Sequence, residues 1–171
     1  MESAKAKIWA ALEHLTDPEI PVVTLRELGI LRDVRVAVDG SLEVVITPTY
    51  SGCPAMGQIE DDIRASLAQA GIEAHVVTQL APAWTTDWMT PEAKEKLRAY
   101  GITPPQRRCA DEAGGGAHVL TFMPPRPTET VPCPRCGSHN TTLTSQFGST
   151  ACKALYKCLD CLEPFDYFKP Y

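Results

Sequence analysis

Cys133-Pro134-Arg135-Cys136 and Cys158-Leu159-Asp160-Cys161 are two Cys-x-x-Cys knuckles separated by residues 137–157. Each knuckle holds two thiolates on one tight turn, and a hairpin between them brings both turns around one ion. The separation slightly exceeds the ~15–20 residues of the usual zinc pattern, and the extra length fits two strands and a turn. Sulfur-only tetrahedral ligation suits Zn²⁺ or iron with sulfide. Disulfides or plain buried thiols are the rival readings, and paired knuckles at this spacing favour metal. Zinc is the expected ion, because closed four-thiolate sites of this pattern are most often zinc. An iron–sulfur cluster is the alternative. Cys152, six positions before Cys158, is a packed residue in the zinc case and an extra ligand in the cluster case.

Working outward, five of the seven cysteines lie from residue 133 onward. The preceding stretch carries Pro104-Pro105, Gly114 to Gly116, Pro124-Pro125, Pro127 and Pro132, a linker composition. Within it His118 to Phe122 has the look of a short added strand. Upstream, Ile8, Leu12 and Leu15 recur at helical spacing over residues 4–15. Val34, Val36 and Val38 alternate, Asp39-Gly40 supplies a turn, and Leu42, Val44 and Ile46 alternate again, which predicts a β-hairpin. Met56, Ile59, Ile63 and Leu67 stripe a second helix ending at Gly71. Residues 73–80 predict a third strand, and Thr90-Pro91 opens a helix running to Tyr100. The order helix, strand, strand, helix, strand, helix predicts an α+β fold. A small helix-on-sheet domain spans 1–101, a linker 102–130, and a zinc-ribbon-like module 131–171.

The chain has 171 residues, 44% of them hydrophobic and 22% charged, which is enough for a real core. A net charge of −5 and a pI near 5.4 speak against nucleic acid as partner. Arg135, Lys153, Lys157 and Lys169 are a thin basic set. The N-terminus lacks the apolar core of a signal peptide, and no apolar run is long enough for a membrane span. A cytoplasmic setting is expected, which also suits free thiols.

Cys53 is the second chemical candidate. Gly52-Cys53-Pro54 stands before a helix, with Pro54 expected at its first position. The helix dipole there lowers a thiol pKa, so Cys53 reads as a thiolate able to ligate iron or attack an electrophile. On spacing alone a small packed residue is the better reading. A cysteine-nucleophile enzyme needs a base, and His75 on the third strand is the nearest candidate. Trp84 and Trp88, in the irregular segment Pro82 to Thr90, are either core plugs or a partner-binding patch. Glu60-Asp61-Asp62 reads as a solvated helix start. The sequence contains no Glu-x-x-His for a di-iron helix, no Gly-x-Gly-x-x-Gly and no phosphate loop.

Asp17-Pro-Glu-Ile-Pro21, Leu28-Gly-Ile-Leu-Arg-Asp-Val34 and Thr47-Pro-Thr-Tyr-Ser-Gly-Cys-Pro54 resemble the SufT-like iron–sulfur assembly family. Trp84-Thr-Thr-Asp-Trp-Met89, Lys96 to Ile102, Phe147 to Tyr156 and Glu163 to Lys169 narrow this. With them the chain resembles the D-subunit family of multicomponent phenylacetyl-CoA 1,2-epoxidases, of the PaaD or PaaJ type. The resemblance covers nearly everything outside residues ~103–130, where loop variation is expected. It implies an accessory role in phenylacetate catabolism, maturing or delivering an iron or iron–sulfur centre for a partner subunit. It implies that Cys53 is a transient cluster ligand and that Cys133, Cys136, Cys158 and Cys161 hold the ribbon metal. One thiolate per chain cannot complete a cluster, so a homodimer, a second protein or a small thiol supplies the rest. A structural docking role and a cysteine-nucleophile enzyme are the rival functions.

Overall fold

The computed structural model describes residues 2–106 and 130–170. The predicted strand at His118 to Phe122 and most of the predicted linker lie outside the described residues. The fold is α+β, with a helix-on-sheet N-terminal part and a ribbon-like C-terminal sheet.

Helix α1 (Glu2–Leu12) buries Ile8 and Leu12 against helix α2 (Met56–Gln69), which contributes Ile59, Ile63 and Leu67. The Ser66 hydroxyl donates to the Ala11 carbonyl at 2.7 Å and pins the two helices together. Strands β1 (Leu31–Val36) and β2 (Leu42–Ile46) form the predicted antiparallel hairpin, with a bulge between Leu31 and Asp33. Alternation of the valines did not carry β1 to Val38, which is fully exposed at the turn. From β2 the chain crosses through α2 and returns as β3 (His75–Thr78), parallel to β2. Leu80, expected on that strand, lies beyond it and is exposed.

A single 3-10 turn (Thr86–Trp88) leads into α3 (Pro91–Tyr100). Thr90 caps α3, its hydroxyl accepting from the Ala93 N–H at 3.1 Å, and Gly101 ends it at φ +98°. The chain then enters β4 (Ile102–Thr103), which pairs in parallel with β7 (Pro164–Phe168). β5 (Thr141–Ser145) and β6 (Lys153–Cys158) complete a four-stranded sheet in the order β4-β7-β6-β5.

Two buried clusters result. The larger holds the helices, the first sheet, Trp84, Met89 and Leu97, and also Cys152 from the turn before β6 and Phe168 from β7. The smaller holds Val131, Cys133, Cys158, Phe165 and Tyr167. The C-terminal sheet therefore packs one side on the first module and keeps a small core of its own.

Candidate metal and thiol sites

The first knuckle is built by backbone closure. The Cys133 N–H donates to the Ser138 carbonyl at 2.8 Å, and the Gly137 N–H returns to the Cys133 carbonyl at 2.9 Å. Gly137 takes φ +74°, a conformation that suits glycine. In the second knuckle the Cys158 N–H donates to the Glu163 carbonyl at 3.0 Å, and Leu162 takes the left-handed conformation at φ +65°. Asp160 joins the two turns. Its carboxylate accepts from the Ser138 hydroxyl and from the Asn140 side-chain amide, and both bonds hold its pKa below the usual value.

The four sulfurs converge. Cys133 and Cys161 lie 3.7 Å apart, Cys136 and Cys158 3.6 Å, and all four fall within 4.8 Å of one another. A tetrahedron with metal–sulfur bonds of ~2.3 Å has edges of about 3.8 Å, so the thiols already have the spacing of a four-thiolate shell. Their ionisation is linked. N–H groups of Cys161 and Asp160, with the neighbouring thiols, bring Cys158 down to about 7. The Glu163 N–H favours a Cys161 thiolate, but desolvation and the other three sulfurs oppose it, and Cys161 ends at about 12. One thiolate forms readily and later ones need a cation among them. That is the chemistry of a metal-binding set.

Cys152 does not join these four. It is buried in the larger core, its sulfur 3.0 Å from the Thr150 hydroxyl, its carbonyl accepting from the Lys169 N–H at 3.0 Å.

Cys53 lies in the loop from β2 to α2 and is half-buried. Its N–H donates to the Tyr50 carbonyl at 3.2 Å and its carbonyl accepts from the Met56 N–H at 3.3 Å. The helix begins later than expected: Ala55 is the N-cap and Met56 the first residue, so Pro54 belongs to the preceding turn. The expected drop in pKa is also overturned. The Ala55 N–H does favour the thiolate, but burial is the largest influence and raises the pKa above 9.0, and Glu19, Asp17 and Cys152 push the same way. His75 pairs in register with Glu43, at the opposite end of β2 from the Cys53 loop, and so gives the thiol no base.

Sequence reasoning missed the acidic neighbours. Asp17 is buried in a turn where its carboxylate accepts from the Glu19 and Ile20 N–H groups, at 2.8 and 2.9 Å. Desolvation nevertheless raises its pKa, against those two bonds and the charge of Lys153. Desolvation, and then Asp17, raise Glu19 likewise, opposed by Lys153. The signal lies in Asp17-Pro18-Glu19, two carboxylates flanking a proline within one of the stretches that carry the family resemblance.

The tryptophans divide. Trp84 is buried, donates its indole N–H to the Leu28 carbonyl at 3.0 Å and packs on Phe168 with ring centroids 6.0 Å apart. Trp88 is half-buried, with the Arg32 guanidinium 3.4 Å above its ring.

Residues 121–169 match the PaaD zinc beta ribbon domain, and residues 5–79 match the iron-sulfur cluster assembly protein family. An Escherichia coli protein, provisionally named as the D-subunit of 1,2-phenylacetyl-CoA epoxidase, is 52% identical, over 95% of this chain and 91% of its own. The Fe-S protein maturation auxiliary factor YitW of Bacillus subtilis is 36% identical over 56% of this chain and 95% of its own. Among solved structures, that of a domain of unknown function, DUF59, from Bacillus anthracis aligns at 30% identity. Its TM-score is 0.50, over 56% of this chain and 92% of that one.

Proposed function

Because the chain belongs to the D-subunit family of 1,2-phenylacetyl-CoA epoxidases, we propose that it is an accessory component that handles iron for that enzyme. Cys53 is its transient iron or iron–sulfur ligand, and the cargo passes to a partner subunit of the epoxidase. Residues 1–101 form the cargo module. Residues 131–171 form a ribbon in which Cys133, Cys136, Cys158 and Cys161 hold a structural Zn²⁺. The protein works in the cytoplasm; among the described residues no helix is long and apolar enough to cross a membrane.

The observation that carries this reading is the setting of Cys53. Its thiol is half-buried, and burial first, then the charges of Glu19 and Asp17, disfavour a free thiolate. A reactive nucleophile needs the opposite environment. A cation is what makes such a thiolate favourable, and binding one releases the thiol proton. The ribbon supports a different role, because its four sulfurs close a coordination shell and leave no position for exchange.

A docking role has its own support. Leu159 and Leu162 stand exposed on the second knuckle and Phe147 beside the sheet, and apolar side chains of this kind anchor protein interfaces. Metal and sulfide analysis of anaerobically prepared protein separates the two readings. Iron handling requires labile iron in the natural chain and its loss in Cys53→Ser, with zinc retained in both. A chain that carries zinc alone under every loading condition leaves the docking role.

A further inference from the structure

Separate backbone devices converge on one pair of side chains, Arg32 and Trp88. Arg32 is the extra residue of the β1 bulge: Leu31 pairs with Ile46 and Asp33 with Val45, and Arg32 has no register partner on β2. A bulge bends its strand and re-aims a side chain. β1 ends the first sheet, and Arg32 is exposed there. From the other side the 3-10 turn Thr86–Trp88 presents the half-buried Trp88 ring, with Met89 buried behind it. Gly29 admits that turn, since a β-carbon on it would meet the Trp88 Cβ at 2.7 Å. The Thr90 N–H donates to the Glu27 carbonyl at 2.9 Å and closes the same seam. The Arg32 guanidinium carbon ends 3.4 Å from the centre of the Trp88 ring.

Other arginines of the chain are spent on carboxylates. Arg35 holds Glu43 at 2.7 Å, Arg64 holds Glu60 at 2.8 Å and Asp61 at 3.1 Å, and Arg98 holds Glu95 at 2.8 Å. Arg32 differs, although the chain is acidic, at net charge −5. Among the described residues no carboxylate lies within 4.0 Å of its guanidinium, and none of its side-chain N–H groups finds an acceptor. Its sequence neighbour Asp33 turns instead to the Val34 N–H, at 2.8 Å. Stacking on a ring occupies the face of a guanidinium and leaves its N–H edge open, and that edge matches a carboxylate through two parallel hydrogen bonds. The ring also holds the side chain in one place, so little freedom is lost when a partner arrives.

We infer that Arg32, held on Trp88, is the docking point for an aspartate or glutamate side chain of a partner subunit of the epoxidase. This rests on the reading of the chain as an accessory component of that enzyme, and it supplies the chemistry of one contact. Arginine and tryptophan are the residue types that most often anchor interfaces. The chain's overall negative charge gives no broad attraction to an acidic surface, so recognition depends on this single fixed cation.

The test uses the full chain with zinc in the ribbon and the epoxidase subunits purified one at a time, with affinity read by titration calorimetry. Arg32→Gln is expected to weaken binding at least tenfold, and Arg32→Glu further. Arg32→Lys keeps the charge but loses the fork, and recovers only part. Arg26→Gln is the control, because Arg26 lies over Trp9 in a looser stack, at 4.6 Å, and its loss should leave binding unchanged. Replacing one acidic residue of the bound subunit by arginine should restore binding to Arg32→Glu. If Arg32→Gln does not fold, Arg32→Lys gives the same reading with a smaller drop. Binding that ignores Arg32→Glu overturns the docking point, and its loss in Leu159→Ser or Leu162→Ser then moves the interface to the second knuckle. A charge swap that restores binding at no acidic position overturns the carboxylate. Labile iron is measured on the same samples. Iron lost only in Cys53→Ser, with subunit binding indifferent to Arg32, leaves the iron reading standing and ends this one. A natural chain that binds neither iron nor any subunit ends both.

Discussion

Gly29 lies so close to Trp88 that a β-carbon at position 29 would sit 2.7 Å from the Trp88 Cβ and 2.8 Å from its carbonyl oxygen. Gly29 also takes φ +75°. Both facts require glycine in the Leu28-Gly29-Ile30 stretch, and the next residue back, Leu28, accepts the Trp84 indole bond. Gly29→Ala is expected to lower unfolding free energy by on the order of 2 kcal/mol, through backbone strain and displacement of Trp88. Denaturant titration checks this. A loss below about 0.5 kcal/mol, the range of ordinary surface substitutions, would mean the segment yields freely.

Trp84 and Trp88 should respond differently. Trp84→Ala empties a buried site and breaks a hydrogen bond, a loss of about 3–5 kcal/mol. Trp88→Ala removes a half-buried ring stacked under Arg32, and the loss should be nearer ~1 kcal/mol. We propose that Trp88 is the ring that contacts epoxidase partners. Co-purification with those partners should weaken in Trp88→Ala by more than its small stability loss explains. Equal stability losses in the two variants would assign both rings to packing.

Removing the ribbon metal should unfold the four-thiol end and loosen more than the ribbon. Metal binding contributes folding energy on the order of 10 kcal/mol in small modules of this kind. β4 pairs with β7, and Phe168 packs on Trp84, so the disturbance should spread to residues 102–103 and to Trp84. Hydrogen exchange of Cys136→Ser, or of chelated protein, is expected to show lost protection in β5, β6 and β7. Protection in β1 and β2 should persist. Unchanged exchange after complete metal removal would show that the sheet stands without it.

The helices and the hairpin were legible because their signals are local. Ile59, Ile63 and Leu67 repeat at one helical period, and Val34, Val36, Leu42, Val44 and Ile46 alternate about Asp39-Gly40. The four ribbon cysteines were equally legible, since knuckle spacing sets their geometry. Cys152 was not. Six positions before Cys158, it faces either the ribbon sulfurs or the other module, and only tertiary packing, marked by Phe168 of β7 on Trp84, decides. Likewise Glu19 and Cys53 are far apart in sequence, and no periodicity links a turn before β1 to a loop after β2. The thiol's pKa went wrong for the same reason: the helix start is a local feature, burial a tertiary one.

Asp17 offers a test by pH. Its folded pKa is raised, mainly by desolvation, so its contribution to stability is fully present below the unfolded value near 3.8 and is lost as pH rises through the folded value. Asp17→Asn keeps an acceptor for the Glu19 and Ile20 N–H groups and removes the charge. The variant should therefore gain stability relative to the natural chain as pH rises above 3.8. Burial chiefly holds the Cys53 thiol up and the Asp17 charge adds to it, so alkylation of Cys53 by iodoacetamide should begin at slightly lower pH in Asp17→Asn. Residue-resolved mass spectrometry follows this. Identical alkylation profiles would remove Asp17 from the environment of the thiol.

Cys53 should separate function from stability. It sits in a loop, half-buried, with one N–H contact to its sulfur, so Cys53→Ala should change stability by ~1 kcal/mol or less. The ribbon sulfurs are untouched, so zinc content should not move. In cells, however, the partner epoxidase should lose most of its activity, and adding iron to the medium should restore little, because placement rather than supply is missing. Cys53→Ser is the sharper variant: it keeps size and polarity and removes only the soft donor that iron prefers. Full epoxidase activity in cells carrying either variant as the sole copy would end the iron-handling proposal. The exposed Leu159 and Leu162 would then be the place to look for what this protein does.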